Sequence, residues 1–318
     1  MSNILITSAG RRVSLVRIFK TEIEKRNLRS KVFTADANPT YSSACQVSER
    51  AFLLPLAREE SFINQLLACC RQYSISVVIP TNDLELKKLA VHKEDFQSEG
   101  IFIMVPDHKV VSLCRDKRET PKLFKKFAIQ CPSIYPRDKL NFPCFAKPFD
   151  GSSSTDLFLL NKKEELREEI LLNEKLIFMQ YIDKEFEEYT VDMYCDKNGT
   201  VRCVVPRKRI EIRSGEVSKS VTNKNFVYQF VRRNIPSIEG ARGCITMQLF
   251  YNQECKKIFG IEINPRFGGG FPLTYASGAN YPGWILDEYI CDKNIPHYDE
   301  WKDKVLMLRY DSEVFSQL

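Results

Sequence analysis

The first hundred residues alternate two hydrophobic rhythms. Short runs rich in isoleucine and valine, "NILIT" (3 to 7), "KVFTA" (31 to 35), "SVVIP" (76 to 80) and "IFIMV" (101 to 105), read as strands buried on both faces. Between them the period lengthens. In "RRVSLVRIFKTEIEKRN", Val16, Phe19 and Ile23 recur at spacings of three and four, and "EESFINQLLACCRQY" behaves likewise, so both stretches predict amphipathic helices. Strand alternating with helix predicts a parallel, doubly wound sheet, whose ligands gather beyond the carboxyl ends of its strands. Those ends are "SAGRR", "DANPT" and "TNDLE", which makes Arg11, Arg12, Asn82, Asp83 and Glu85 candidate substrate contacts.

Around residue 113 the pattern changes. "CRDKRETPKLFKKFAI" predicts a helix with two competing starts, an Asp116/Glu119 capping box or a Thr120 cap followed by Pro121. Either start puts Lys117 near a helix N-terminus. "FPCFAKPFDGSSSTDLFLL" predicts a hairpin with Lys147 at its mouth, and "KLIFMQYI" a further strand. Asn198-Gly199 marks a tight turn inside "EEYTVDMYCDKNGTVRCVVPRKRIEI", and "YPGWILDEYI" reads as a helix. The second part is therefore α+β, behind an α/β front end.

One run, "FGIEINPRFGGG" (259 to 270), interleaves polar and apolar residues before breaking into glycines. Alternate strand positions share a face, so Glu262, Asn264 and Arg266 line one side while Phe259, Ile261 and Ile263 pack. Two oxygen ligands with a cation next in line suit Mg²⁺ carrying a polyphosphate. A solvated edge strand with an exposed ion pair is the alternative.

Composition narrows the chemistry. The 318-residue chain is 43% hydrophobic and 28% charged, ordinary for a globular protein, with a modest net charge of +6. No run approaches the roughly 18 to 20 apolar residues of a membrane span, and no N-terminal leader is evident, so the expected location is the cytoplasm. The 11 cysteines are scattered through apolar segments, with no C-x-x-C, and only three histidines accompany them, which argues against zinc. The basic stretch "PRKRIEIRSGEVSKS" has no aromatic platform beside it, which argues against nucleic acid and leaves a polar hairpin or a lid over an anionic ligand. Gly10 stands alone after the first strand, so a dinucleotide fingerprint is missing.

Several of these signals ask for one ligand. Lys147 precedes "DGSSS", a small-residue loop whose N–H and hydroxyl groups suit phosphate oxygens. Lys117 is a second phosphate cation, Gln248 sits on the strand expected to pair with that of Glu262, and Glu188 suits a ribose. Their order along residues 113 to 300 resembles the ATP-grasp superfamily. The front end resembles the pre-ATP-grasp domain of relatives of the carbamoyl phosphate synthetase large subunit and of the pyrrolysine-biosynthesis ligase.

That resemblance implies a parallel doubly wound domain over residues 1–112, followed by an ATP-grasp fold over 113–318 made of two α+β subdomains (113–182 and 183–318). It implies that Lys117 and Lys147 hold the α- and β-phosphates, that Ser152, Ser153 and Ser154 wrap them, and that Gln180, Tyr181 and Ile182 meet the adenine. Glu188 would bind the ribose, Gln248, Glu262 and Asn264 would ligate Mg²⁺, and Arg266 would steady the γ-phosphate. Arg207, Arg209 and Lys219 become lid residues. The implied activity is ATP-dependent ligation, in which a carboxylate becomes an acyl phosphate that an amine or thiol opens. ATP and Mg²⁺ are the cofactors, small carboxylates and amines the partners, and a homodimer fits the pattern. A single carbamoyl phosphate synthetase-like unit acting on bicarbonate or carbamate, and a non-catalytic nucleotide-binding module, are the competing readings. The serines of the phosphate loop depart from the glycines that many relatives carry.

Overall fold

The computed structural model describes residues 2–151, 156–213 and 215–317. Its first sheet is parallel and holds β1 (Asn3–Thr7), β2 (Val32–Asp36), β3 (Arg50–Leu53), β4 (Ile75–Pro80) and β5 (Phe102–Ile103) in the order β3-β2-β1-β4-β5. Every residue of β1 is buried, which explains its unbroken apolar reading. The chain winds outward to β3 on one side and to β5 on the other, so the switch point lies between β1 and β4. Thr81 ties the two strand ends together, its hydroxyl donating to the carbonyls of Thr7 (3.0 Å) and Ser8 (2.8 Å).

The second sheet is antiparallel, with β6 (Ile134–Tyr135), β7 (Cys144–Pro148), β8 (Phe158–Leu160) and β9 (Leu176–Gln180) in the order β6-β9-β7-β8. The third is the largest. It contains β10 (Glu187–Cys195), β11 (Val201–Arg213), β12 (Glu216–Thr222), β13 (Gly243–Asn252), β14 (Lys257–Asn264) and β15 (Leu306–Leu308), ordered β14-β13-β10-β11-β12-β15. The expected Asn198-Gly199 turn joins β10 to β11, with Gly199 at φ +79°.

Helix Val13–Lys25 buries Leu15, Val16, Ile18, Phe19 and Ile23, and packs against helix Tyr281–Tyr289. One apolar core therefore spans the front sheet and the third sheet: Ile4, Ile6 and Phe19 share it with Tyr194, Phe267, Phe271, Tyr281 and Trp301. Buried Glu22 fastens the same contact by accepting from Tyr275 (2.6 Å) and Asn280 (2.6 Å).

Local details differ from expectation. β3 was not anticipated, because its four residues are half-exposed and mixed in character, and β5 shrinks to two residues. The contested helix spans Thr120–Lys126, with Pro121 in its first turn and Glu119 as the cap residue. Asp116 caps its own turn instead, its carboxylate accepting from the Arg118 amide (2.9 Å). Leu123 and Phe124 share a core with Tyr189, Met247 and Ile258, so this helix packs on the third sheet. All 11 cysteines are free thiols; eight are buried, Cys131 and Cys291 are half-buried, and Cys255 is exposed. Among the described residues no helix is long and apolar enough to cross a membrane.

Candidate active site

Strand register puts a row of polar side chains on one face of the third sheet. Glu262 on β14 stands opposite Gln248 on β13, Gln248 opposite Thr190 on β10, and Thr190 opposite Arg207 on β11. The neighbouring row runs Asn264, Thr246, Asp192. Asn264 Nδ2 donates to Glu262 Oε1 (2.8 Å), so the carboxylate and one amide are already side by side. Glu188 lies on the same face and accepts from Arg209 Nη1 (2.7 Å). Burial raises the Glu188 carboxyl, nearby Glu262 raises it further, and Arg209 opposes both.

All of these side chains except Asp192, which is fully buried beneath them, line a cleft of about 530 Å³, within the range of small-ligand sites. Its second wall is the β7–β9 sheet, which contributes Lys147, Met179 and Gln180, followed by Tyr181 and Ile182. Burial lowers the Lys147 ammonium's pKa, Glu262 pulls it back up, and Lys117 adds to the lowering. Lys117 responds in the same way, first to burial and then to Glu262. Its ammonium donates to the Gly151 carbonyl (2.6 Å) and its amide to the Phe149 carbonyl (2.8 Å), which fixes it beside the loop after β7. Both ammonium groups are desolvated, and Glu262 is the carboxylate that both of them sense.

The third wall comes from the switch point of the front sheet. Asp83, in the first turn of helix Asp83–Val91, accepts from Arg266 Nη2 (2.6 Å) and Nε (3.1 Å). Arg266 lies two residues past the end of β14, where its amide turns back onto the Asn264 carbonyl (2.8 Å). It is therefore not a third position of that strand, as the alternating pattern predicted, yet it still lines the cleft. Burial alone would lower its pKa; the Asp83 carboxylate more than offsets this and raises it.

Most of the predicted residues meet here. Arg11, Arg12, Asp83, Lys117, Lys147, Gln180, Tyr181, Ile182, Glu188, Arg209, Gln248, Glu262, Asn264 and Arg266 all line the cleft. Three predicted residues sit elsewhere. Asn82 and Glu85 form a capping box on helix Asp83–Val91, and Glu85 is fully buried, accepting from the amides of Thr81 (3.0 Å) and Asn82 (3.1 Å). Lys219 is half-exposed and pairs with Glu211 (2.7 Å) on the β11–β12 hairpin. Ser152, Ser153 and Ser154 lie outside the described residues.

The lid expectation also changes for Arg207 and Arg209, which are sheet residues. Arg207 is buried, its Nε and Nη2 donating to the Asp192 carboxylate (3.0 and 3.2 Å). Asp192 also accepts from Thr246 (3.1 Å) and Thr274. Sequence reasoning missed Thr190 and Asp192, although Glu188, Thr190 and Asp192 alternate along "EEYTVD" in the rhythm that identified Glu262 and Asn264.

The donor set suits a hard cation. Gln248, Glu262 and Asn264 offer oxygen atoms from two adjacent strands, and no cluster of three or more His, Cys, Asp or Glu side chains occurs among the described residues. Few protein oxygens, leaving room for water and phosphate, is how Mg²⁺ is usually held.

Comparison with known proteins gives this arrangement its context. Residues 4–104 match the family model of the PylC-like N-terminal domain, and residues 173–308 match that of an ATP-grasp in the biosynthetic pathway with Ter operon. By that second match, residues 173–308 form an ATP-grasp domain. No curated protein matches the sequence. Among solved structures, the chain is similar to the biotin carboxylase domain of Hydrogenobacter thermophilus 2-oxoglutarate carboxylase. That likeness has a TM-score of 0.74 at 14% identity, over 95% of this chain and 73% of the other, whose structure contains MgADP, ADP and bicarbonate. It is also similar to an L-amino acid ligase from Bacillus licheniformis (TM-score 0.66, 17% identity, 91% and 74% covered). The ADP complex of N5-carboxyaminoimidazole synthetase from Staphylococcus aureus gives TM-score 0.66 at 17% identity, with 90% and 76% covered. At these identities the likeness establishes the ATP-grasp fold alone.

Proposed function

We propose that this ATP-grasp protein is an ATP-dependent ligase that activates a carboxylate as an acyl phosphate for attack by an amine or thiol. The observation that carries the reading is the convergence of Lys117, Lys147 and Glu262 on one cleft, where a buried and a half-buried ammonium group and an oxygen-ligand face sense each other's charge. Lys117 and Lys147 hold the α- and β-phosphates, Gln180, Tyr181 and Ile182 flank the adenine, and Glu188 takes the ribose. Gln248, Glu262 and Asn264 hold Mg²⁺, which neutralises phosphate charge when bound.

In the reaction a carboxylate oxygen of the acid attacks the γ-phosphorus and ADP leaves. The amine nitrogen then adds to the acyl carbon, phosphate departs with the C–O electron pair, and the amine loses a proton. Phosphoryl transfer is largely positioning and charge neutralisation, which is what lysines fixed on one wall and Arg266 fixed on another supply. Arg266 needs its orientation before the phosphate arrives, and the two-point grip of Asp83 provides it. Dependence on ATP and small metabolites puts the protein in the cytoplasm. A homodimer fits this reading, the biotin carboxylase domain of 2-oxoglutarate carboxylase being a dimer.

Glu262→Ala tests the assignment. Loss of one metal ligand should lower acid-dependent ADP release by two to three orders of magnitude, equivalent to roughly 3–4 kcal/mol of transition-state stabilisation. A fully active variant would remove the metal site. Bicarbonate as the acid is the second reading, favoured by the fold shared with the bicarbonate-bound biotin carboxylase domain. ADP release stimulated by bicarbonate alone selects it, and stimulation only by an organic acid selects the first.

A further inference from the structure

The chain leaves β15 along the rim of the cleft. Past Leu308 the Arg309 amide donates to the Ser218 carbonyl (2.9 Å), which keeps the segment against β12, and an Asp311–Arg213 ion pair pins it to the end of β11. Arg309 then reaches inward with both arms of its guanidinium. Nη2 donates to the Gly269 carbonyl (2.6 Å) and Nη1 to Glu216 Oε2 (2.6 Å). The other Glu216 oxygen accepts from Arg12 Nη1 (3.2 Å), so one carboxylate ties the third sheet to the front domain. Burial pushes the Glu216 carboxyl up, but Arg12 and Arg309 more than offset this and its pKa is lowered, which keeps the link charged.

The turn that receives Nη2 has little else to order it. Gly268, Gly269 and Gly270 carry no side chains, and glycine backbone loses more freedom on folding than any other. The flanking carbonyls are satisfied locally, Gly268 accepting from the Phe271 amide (3.1 Å) and Gly270 from that of Leu273 (3.1 Å). The Gly269 carbonyl has Arg309 as its one donor among the described residues. A bulkier residue cannot stiffen the turn instead, because a Cβ on Gly269 would lie 2.8 Å from Arg12 Nη1 and 2.9 Å from Glu216 Oε1. Arg12, Glu216 and the three glycines line the cleft, whereas Arg309 stands outside it.

We propose that Arg309 is a positioning residue. From outside the cleft it orders the Gly268–Gly270 turn and, through Glu216, clasps that turn to Arg12 of the front domain. The clasp thereby shapes the part of the cleft that the nucleotide and metal assignments leave free, a consequence that rests on the ligase reading.

Hydrogen exchange read by mass spectrometry, on the full chain without ligand, tests the clasp. Arg309→Ala should speed exchange about 10- to 100-fold in peptides spanning 266–273, the range for losing a charge-assisted hydrogen bond, while peptides from β7 and β9 stay unchanged. Millimolar ethylguanidinium, a planar fork like the lost one, should restore much of the protection, and an alkylamine of similar size should not. Unchanged exchange at the glycine turn, or a rise spread evenly over all three sheets, overturns the proposal. ADP release across amino acids, dicarboxylates and bicarbonate supplies the functional readout. For the acid that wild type turns over, Arg309→Ala should raise KM about tenfold and leave the Mg·ATP KM within about twofold. Both KM values rising together would mark a general loss of structure and also overturn it. Wild type that fails to bind Mg·ADP sinks the ligase reading alone, since the exchange comparison needs no ligand.

Discussion

Gly270→Ala places a methyl group where the structure has no room. Its nearest neighbours would be Arg207 Nη1 at 2.3 Å, Val217 Cγ1 at 2.7 Å and Arg207 Cζ at 3.1 Å, all inside van der Waals contact. Val217 is buried on β12, and Arg207 is held by two hydrogen bonds to Asp192. Two responses are open. If the turn moves, the cost is that of overpacking, about 1–3 kcal/mol. If Arg207 swings away, the Asp192 carboxylate is left buried and unpaired, costing about 3–5 kcal/mol. Either way Gly270→Ala should lose at least about 1 kcal/mol in urea unfolding monitored by circular dichroism. Gly268→Ala is the control, because its Cβ would sit 3.4 Å from Thr246, an ordinary contact, and should stay within about 0.5 kcal/mol of wild type. Both variants need comparison at one pH and protein concentration. A Gly270→Ala protein as stable as Gly268→Ala would show that Arg207 is not pinned where described.

Two further expectations concern buried charge. Burial pushes the Glu85 carboxyl up to about 7 despite the amides it accepts from, whereas the unfolded chain titrates near 4.5. The unfolded state therefore holds fewer protons between these values, and stability should fall by up to about 3 kcal/mol as pH rises from 4.5 to 7. Glu85→Gln keeps an acceptor for the Thr81 and Asn82 amides and should flatten that decline; an unchanged slope in urea titrations counts against it. Lys147→Met removes an ammonium whose burial is unfavourable, so the ligand-free melting temperature should hold or rise while the increase produced by Mg·ATP shrinks. A destabilised Lys147→Met that still responds fully to Mg·ATP would contradict the role assigned to this lysine.

Much of this was legible in the sequence where one physical rule dominated. The apolar runs of β1, β2 and β4 could only be buried parallel strands, and the alternation of Glu262 and Asn264 named the polar face of β14. Asn82 and Glu85 were harder: a strand-end loop in a doubly wound sheet suggests substrate, yet the same residues make a capping box, and backbone satisfaction won. The Asp192–Arg207 pair was hidden for another reason. A charged residue on a mixed strand reads as solvated, and only tertiary pairing across β10 and β11 reveals that both are buried. Arg12 meeting Gly269 lies beyond any local pattern, since 257 positions separate them in the chain.

The hairpin that joins β13 to β14 turns at Asn252–Lys257 and carries Cys255, the exposed one among eleven thiols. A maleimide fluorophore should therefore label this protein at one fast site while the eight buried sulfhydryls stay dark. The dye would ride on the two strands that present Gln248 and Glu262, so a nucleotide entering between them and the lysine-bearing sheet would be read as a change in emission.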